Sequence, residues 1–207
     1  TRVDYIESTG GQYIKAEYIH TSNTKILCVA NVAETQPCVW STIFGSRNGA
    51  YTKNALEFFA TSSKPGTVYC RTNNEATGDN LPFGELIEIT AEGTTASWRG
   101  LEWTNHTGAG TPDDGIHSLF IFAMNQSTSA RGTVVQADSF AIMKLYSFKI
   151  YESNELKRDF VPCISPTGEP GLFDLVDGRF HNNRGEGRFY VPGEPEMRFG
   201  GKIWSQT

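Results

Sequence analysis

Along most of its length the chain repeats one pattern, a short run of β-branched and aromatic residues followed by a turn signal rich in Gly, Asn, Asp or Pro. The runs are QYIKAEYI, TKILCVANVA, VWSTIFG, ALEFFA, TVYCRT, ELIEITA, TASW, LEWT, SLFIFAM, IMKLYSFKIY and KRDFV. That rhythm predicts an all-β fold, a two-sheet antiparallel β-sandwich. No segment holds apolar residues at i, i+3, i+4 and i+7 over three turns, so helix is confined to short connectors. In KLYSFKIY, Tyr146, Phe148 and Ile150 face one way and Ser147 and Lys149 the other, the alternation of a sheet with one covered face. SLFIFAM is apolar on both faces and reads as a central strand.

One hairpin can be worked out residue by residue. A two-residue turn at Arg99-Gly100 sets Trp98 opposite Leu101 and Ala96 opposite Trp103. With a preceding turn at Glu92-Gly93, Ala91 pairs with Thr94 and Ile89 with Ala96, so Ile87, Ile89 and Ala91 join the same face. Both tryptophans then belong to the core, the alternative being that one of them stacks on a ligand.

The 207 residues, 38% of them hydrophobic, suffice for one sizeable core. Residues 1–192 read as the sandwich and the Gly/Pro-rich 193–207, which lack alternation, as an extension or linker; Trp204 there docks on this domain or on a neighbour. A net charge of −5 without a Lys/Arg cluster leaves no footprint for nucleic acid or an anionic membrane. No apolar run approaches the ~18 residues of a membrane span. The opening TRVDYIES carries no signal-like segment, and the chain is expected to be a piece of a longer, extracellular or cell-surface protein with neighbouring domains. Cys28, Cys38, Cys70 and Cys163 lack Cys-x-x-Cys spacing and a nearby His pair, which argues against a zinc-thiolate site. Each lies in an apolar or β-branched stretch and reads as a small buried hydrophobe, with a disulfide as the alternative.

Several stretches carry a family resemblance. The opening YIESTGGQYIKAEYIHTSNTKI, the middle IFGSRNG and FIFAMNQ, and above all KLYSFKIYESNELKRDFVPCISPTGEPGLFDLVDGRFHNN resemble the laminin-G-like, concanavalin-A-like lectin/glucanase modules of bacterial surface, secreted and phage tail proteins. The resemblance runs from about Tyr5 to about Tyr190. It implies a concanavalin A-like jelly roll of two curved sheets, with glycans bound on the concave face or its rim loops. In the last motif the strand Leu145–Tyr151 leads into a turn at Ser153-Asn154, the return strand ends at Pro162, and Asp177-Gly178 makes a hairpin turn. Arg158, Asp174 and Asp177 read there as cap and turn formers.

Glucanases of this fold share a Glu-x-Asp-x-Glu strand motif. The nearest match is Glu88-Ile89-Thr90-Ala91-Glu92, where Thr90 stands in place of the central acid and supplies no charge to tune the pair. No nucleophile elbow, phosphate loop or His-Glu-x-x-His is present, so the chain is not expected to be an enzyme. Asp113-Asp114-Gly115 and Asp79-Asn80 are ordinary turn compositions; no cofactor or metal site is assigned, although a structural calcium is compatible with the superfamily. Sugar recognition calls for an aromatic platform and a few planar polar groups. Trp40 after the QPC turn, Arg47, Asn48 and Tyr51 after IFGS, Arg71 and Asn73 at the end of TVYC, and Asn125 after FIFAM are the candidates, with Trp40 and Tyr51 foremost. The expected activity is non-catalytic carbohydrate binding or adhesion to a glycan or cell-surface ligand; a protein-interaction or spacer domain is the main alternative.

Overall fold

The computed structural model describes residues 1–48, 55–61, 68–71, 75–77, 82–93, 95–98, 101–104, 113–127 and 137–193. Every regular element among them is a strand: β1 Ile6–Thr9, β2 Ile14–Ile19, β3 Thr24–Val32, β4 Trp40–Asn48, β5 Leu56–Thr61, β6 Val68–Arg71, β7 Glu75–Thr77, β8 Leu86–Glu92, β9 Thr95–Trp98, β10 Leu101–Thr104, β11 Ser118–Ile121, β12 Met124–Ser127, β13 Ala137–Asp138, β14 Ile142–Glu152, β15 Glu155–Ile164, β16 Pro170–Asp174 and β17 Phe180–Asn182. They form two sheets. The first has the order β10-β9-β8-β3-β14-β15-β16-β17, with β1 also on β14; the second runs β13-β12-β4-β5-β6-β7, with β11 joining β2 to β4. All pairs are antiparallel except β12 with β4, which run parallel from Met124 beside Gly45 to Ser127 beside Asn48.

Alternation builds the core. Along β3, Thr24, Ile26, Cys28, Ala30 and Val32 are buried, and the residues between them are not. From the second sheet Phe44 stacks on Phe58 with ring centroids 5.6 Å apart. Phe44 then meets Phe148 of the first sheet edge-on at 5.3 Å, and Phe58 meets Trp98 at 6.2 Å. These contacts lock the sheets face to face. At the periphery Arg2 bridges to Cys163 and Glu7 to Tyr190. Glu7 and Tyr190 exchange both backbone hydrogen bonds, at 2.9 and 3.0 Å.

Four local expectations change. The β9–β10 hairpin has the expected register, Trp98 with Leu101 and Ala96 with Trp103. In β8–β9, however, Ile89 pairs with Trp98 and Ala91 with Ala96, two residues from the expected register. The turn falls after Glu92, with Gly93 at φ +57°, and because side chains alternate with period two, a two-residue slip leaves every one on its expected face. In β14 the register shifts between Leu145 and Ser147. Met143 and Leu145 before the bulge and Phe148 and Ile150 after it are buried, so Tyr146 leaves the core face and packs on Tyr5 at 5.4 Å. Leu119 to Met124 of SLFIFAM are buried, but the run is divided between two short strands, broken at Phe122 with φ +72°. Finally, β15 continues through Pro162 to Ile164, with Pro162 opposite Leu172.

The expected turns are present: Ser153 and Asn154 both have positive φ, and Gly178 has φ +72°. Cys28 lies fully inside the core, where burial pushes its thiol well above its ordinary range. Cys38 and Cys163 are half-buried, and all three are free thiols. The Cys70 side chain and residues 194–207, with Trp204, lie outside what is described.

Trp98 is 2% exposed and touches both sheets. Trp98→Ala should therefore lower unfolding stability by about 3–5 kcal/mol, the range for deleting a large buried aromatic side chain. Urea denaturation of the two proteins measures it, and an unchanged midpoint would remove Trp98 from the core.

Candidate functional site

The contacts that define the core also define the opposite face of the second sheet. In β5, Leu56, Phe58 and Ala60 point inward, so Glu57 and Phe59 point outward, although they are only 1% and 2% exposed. The register pairs Phe59 with Thr42 and Glu57 with Gly45. Between these pairs the register of β4 shifts, at Thr42/Phe44. The extra residue, Ile43, changes which positions point outward: Trp40 and Thr42 before it, Gly45 and Arg47 after it. The bulge thus places on one face residues that simple alternation would divide between two.

The outer face is aromatic at one end and polar at the other. Trp40, 49% exposed, sets its ring edge-on against Phe59, centroids 5.6 Å apart. At the far end Arg47 donates from Nη2 to Gln126 Oε1 at 2.7 Å and from Nη1 to Glu57 Oε1 at 3.4 Å. With Arg47 and Glu57 side chains 13% and 2% exposed, this is a largely desolvated ion pair. In β6 the register sets Arg71 across from Glu57. Small residues, Thr42 and Gly45, occupy β4 between the two ends. Seven residues of strand make the distance from Trp40 to Arg47 roughly 23 Å at most. A Cβ at Gly45 would stand 3.0 Å from Leu56 O and from Met124 Cε, so the floor there tolerates no side chain without displacement.

The sequence-derived candidates are therefore separated. Trp40 opens β4 instead of lying in a loop, and Arg47 and Asn48 are strand residues, not loop residues. Arg47 and the Arg71 position share the polar end. Asn48 closes β4, half-buried, beside Ser127. Asn125 is 1% exposed, pairs with the inward-facing Ser46 and donates from Nδ2 to Ser118 O at 2.8 Å, so it belongs behind the sheet and not on the face that carries Trp40. Tyr51 and Asn73 lie outside the described residues. Sequence reasoning missed Glu57, Phe59 and Gln126; a lone acid inside the apolar run ALEFFA was the available signal.

Behind Ser46 lies His20, 2% exposed, with Nδ1 3.2 Å from Ser46 Oγ. Gly115 donates its N–H to His20 O and presses on the ring so closely that a Cβ would stand 2.5 Å from Nδ1. Burial lowers the His20 pKa to about 4, against the attraction of Asp114 and Asp113. Asp114 Oδ1 itself accepts the Ser22 N–H at 2.8 Å. A cavity of about 10 Å³ beside His20, Thr21 and Leu56 has room for about one water. A polar cleft of about 150 Å³ at the edge of the sandwich is lined by Lys15, Glu17, Arg179, His181 and Arg184; it falls below the ~300 Å³ of ordinary small-ligand pockets.

Glu88 and Glu92 are exposed on the solvent side of β8, and Glu92 is held 3.2 Å from Lys25 Nζ.

No family model matches the chain, and no curated protein matches it in sequence. Among solved structures it is similar to one from Bacteroides ovatus ATCC 8483, of a protein whose name proposes carbohydrate binding, with a TM-score of 0.57 and 9% sequence identity. The likeness is one of fold. It covers 96% of this chain and 63% of the other, so this chain spans less than two thirds of its neighbour's length.

The buried His20 makes stability depend on pH. The unfolded chain takes up the proton near the ordinary 6.5 and the folded protein only near 4. The unfolded state thus binds more protons in this window: stability is complete above the upper value and is lost as pH falls toward the lower, by roughly 3 kcal/mol. Urea midpoints measured across that window should fall with pH, and His20→Gln should flatten the slope. An equal slope in both proteins would exclude His20 as the cause.

Proposed function

We propose that the chain is a non-catalytic carbohydrate-binding module of a larger extracellular or cell-surface protein, holding a glycan along the outer face of the second sheet. The observation that carries this reading is the half-exposed Trp40 ring braced edge-on by Phe59, on the same face as the Arg47–Glu57–Gln126 row. A pyranose offers an apolar C–H face to an aromatic ring and hydroxyls to planar polar groups, and this face carries both. The two-sheet fold and the Bacteroides ovatus neighbour support the same class. The resemblance to laminin-G-like, concanavalin-A-like modules is consistent with it. Trp40 is the described residue of this face most open to a ligand, so its ring is the contact on which the reading rests. The reading gives the face no cofactor.

Glu88 and Glu92 take no part in this proposal. They are exposed on the other sheet, and with Thr90 between them no charge lies in line to set one carboxyl apart from the other. Laminarin and lichenan should yield no new reducing ends with the wild-type protein. Release that disappears in Glu88→Gln would establish a hydrolase instead.

Binding is tested on a glycan array and then by titration calorimetry with the best ligand. Trp40→Ala should leave the melting temperature nearly unchanged, since half the ring is already in water, and should weaken binding by roughly 1–3 kcal/mol, the range for aromatic stacking on flat ligands. Gln126→Ala is the companion at the polar end. Arg47→Ala is unsuitable, because it strips a partner from the buried Glu57 carboxylate and confounds binding with folding. Unaltered affinity in both variants would move the site off this face. An array without any hit would favour a protein-interaction or spacer domain.

A further inference from the structure

We propose that the β16–β17 hairpin holds a divalent transition-metal ion, such as Zn²⁺, between Asp174, Asp177 and His181. One carboxylate oxygen from each aspartate and one ring nitrogen of His181 lie within 4.8 Å of one another. All three come from a single hairpin, Asp174 closing β16, Asp177 in the turn and His181 in β17, so the local chain alone brings them together.

The hydrogen bonds show what each group has left to offer. His181 is 7% exposed and its Nδ1 lies 3.1 Å from the Lys15 carbonyl oxygen, a partner that can only accept. Nδ1 therefore carries the proton, and Nε2 is left as a buried lone pair without a hydrogen-bond partner. Asp174 is fully buried; its Oδ1 accepts the N–H groups of Asp159 and Val176, while Oδ2 has no hydrogen-bond partner. Asp177 Oδ1 accepts the Arg179 N–H. Arg158 runs alongside, with Nε 3.5 Å from Asp174 Oδ2 and Nη1 3.8 Å from Asp177 Oδ2. Its Nε, Nη1 and Nη2 donate to the carbonyls of Ala16, Lys157 and Glu17. Lone pairs of three side chains thus converge, with the Arg158 guanidinium as the cation now facing both carboxylates, one that a bound ion would have to displace.

That is the outer-shell pattern of metal ligands, in which a histidine donates its second nitrogen to a backbone carbonyl and the carboxylates are oriented by backbone N–H groups. An imidazole beside two carboxylates suits zinc or manganese better than calcium or magnesium, which prefer all-oxygen shells. Ligands about 2.0–2.1 Å from zinc stand roughly 3.4 Å apart, so the ion must draw the group together. Asp177, in the exposed turn, is the residue placed to move. The bound ion would clip the hairpin shut, and through the His181–Lys15 contact it would fasten the edge of the first sheet to β2 of the second. This site is independent of the glycan face.

The test uses the full chain freed of metal with chelator. Zn²⁺ in large excess over its Kd should raise the melting temperature by roughly 5–10 °C, and Co²⁺ should give visible d–d absorption. Both effects should vanish in His181→Gln and weaken in Asp177→Asn, a change in the turn that leaves the core intact. Asp174→Asn is secondary, because that buried side chain also holds the turn. Imidazole ¹⁵N shifts should report metal on Nε2. The proposal is overturned if Zn²⁺ leaves the wild-type melt unchanged, if the shift persists undiminished in His181→Gln, or if Nε2 is found protonated with Zn²⁺ present.

Discussion

Everything else in the molecule follows from the aromatic contact between the sheets. Phe58 and Phe44 from one sheet meet Trp98 and Phe148 from the other, and Phe148 continues to Phe160 at 6.4 Å. Once those rings point inward, the residues between them have only one direction left. Glu57 and Phe59 face outward because Phe58 faces inward, and the bulge at Ile43 carries Trp40 and Arg47 to the same side. Core and candidate site are two sides of the same strands. A change in the packing of β4 or β5 is therefore a change in the site.

The strand content was legible because alternation is a local signal, complete within a few residues. The placement of Trp98 was legible for the same reason, and it survived an error in the register of its hairpin because the error was a multiple of two. Bulges were not legible. An added residue at Tyr146 or Ile43 leaves no mark in composition, yet it reverses the facing of everything that follows in the strand. Asn125 shows a second limit: an amide at a strand end reads as available, and only the packing of β12 against β4 turns it inward. Glu57 shows a third. A carboxylate in a strand normally signals a wet face, and here it is buried against Arg47, a partner ten positions earlier in β4 whose proximity depends on the pairing of β4 with β5.

The polar interior divides into two unlike regions. His20 itself is held neutral by desolvation, and the cost appears as acid sensitivity. Around His181 the same residue type sits among carboxylates and an arginine, where charge gathers instead of being excluded. The first region lies behind β4, and the second lies at the β17 end of the first sheet.

The pairing of Glu7 with Tyr190 bears on how such a fold can be connected. A residue pair exchanging both backbone hydrogen bonds has its Cα atoms only about 5.5 Å apart, so two positions far apart in sequence are held side by side. Residues 7–190 could therefore be rejoined by a short linker and reopened at another turn without stretching the sandwich.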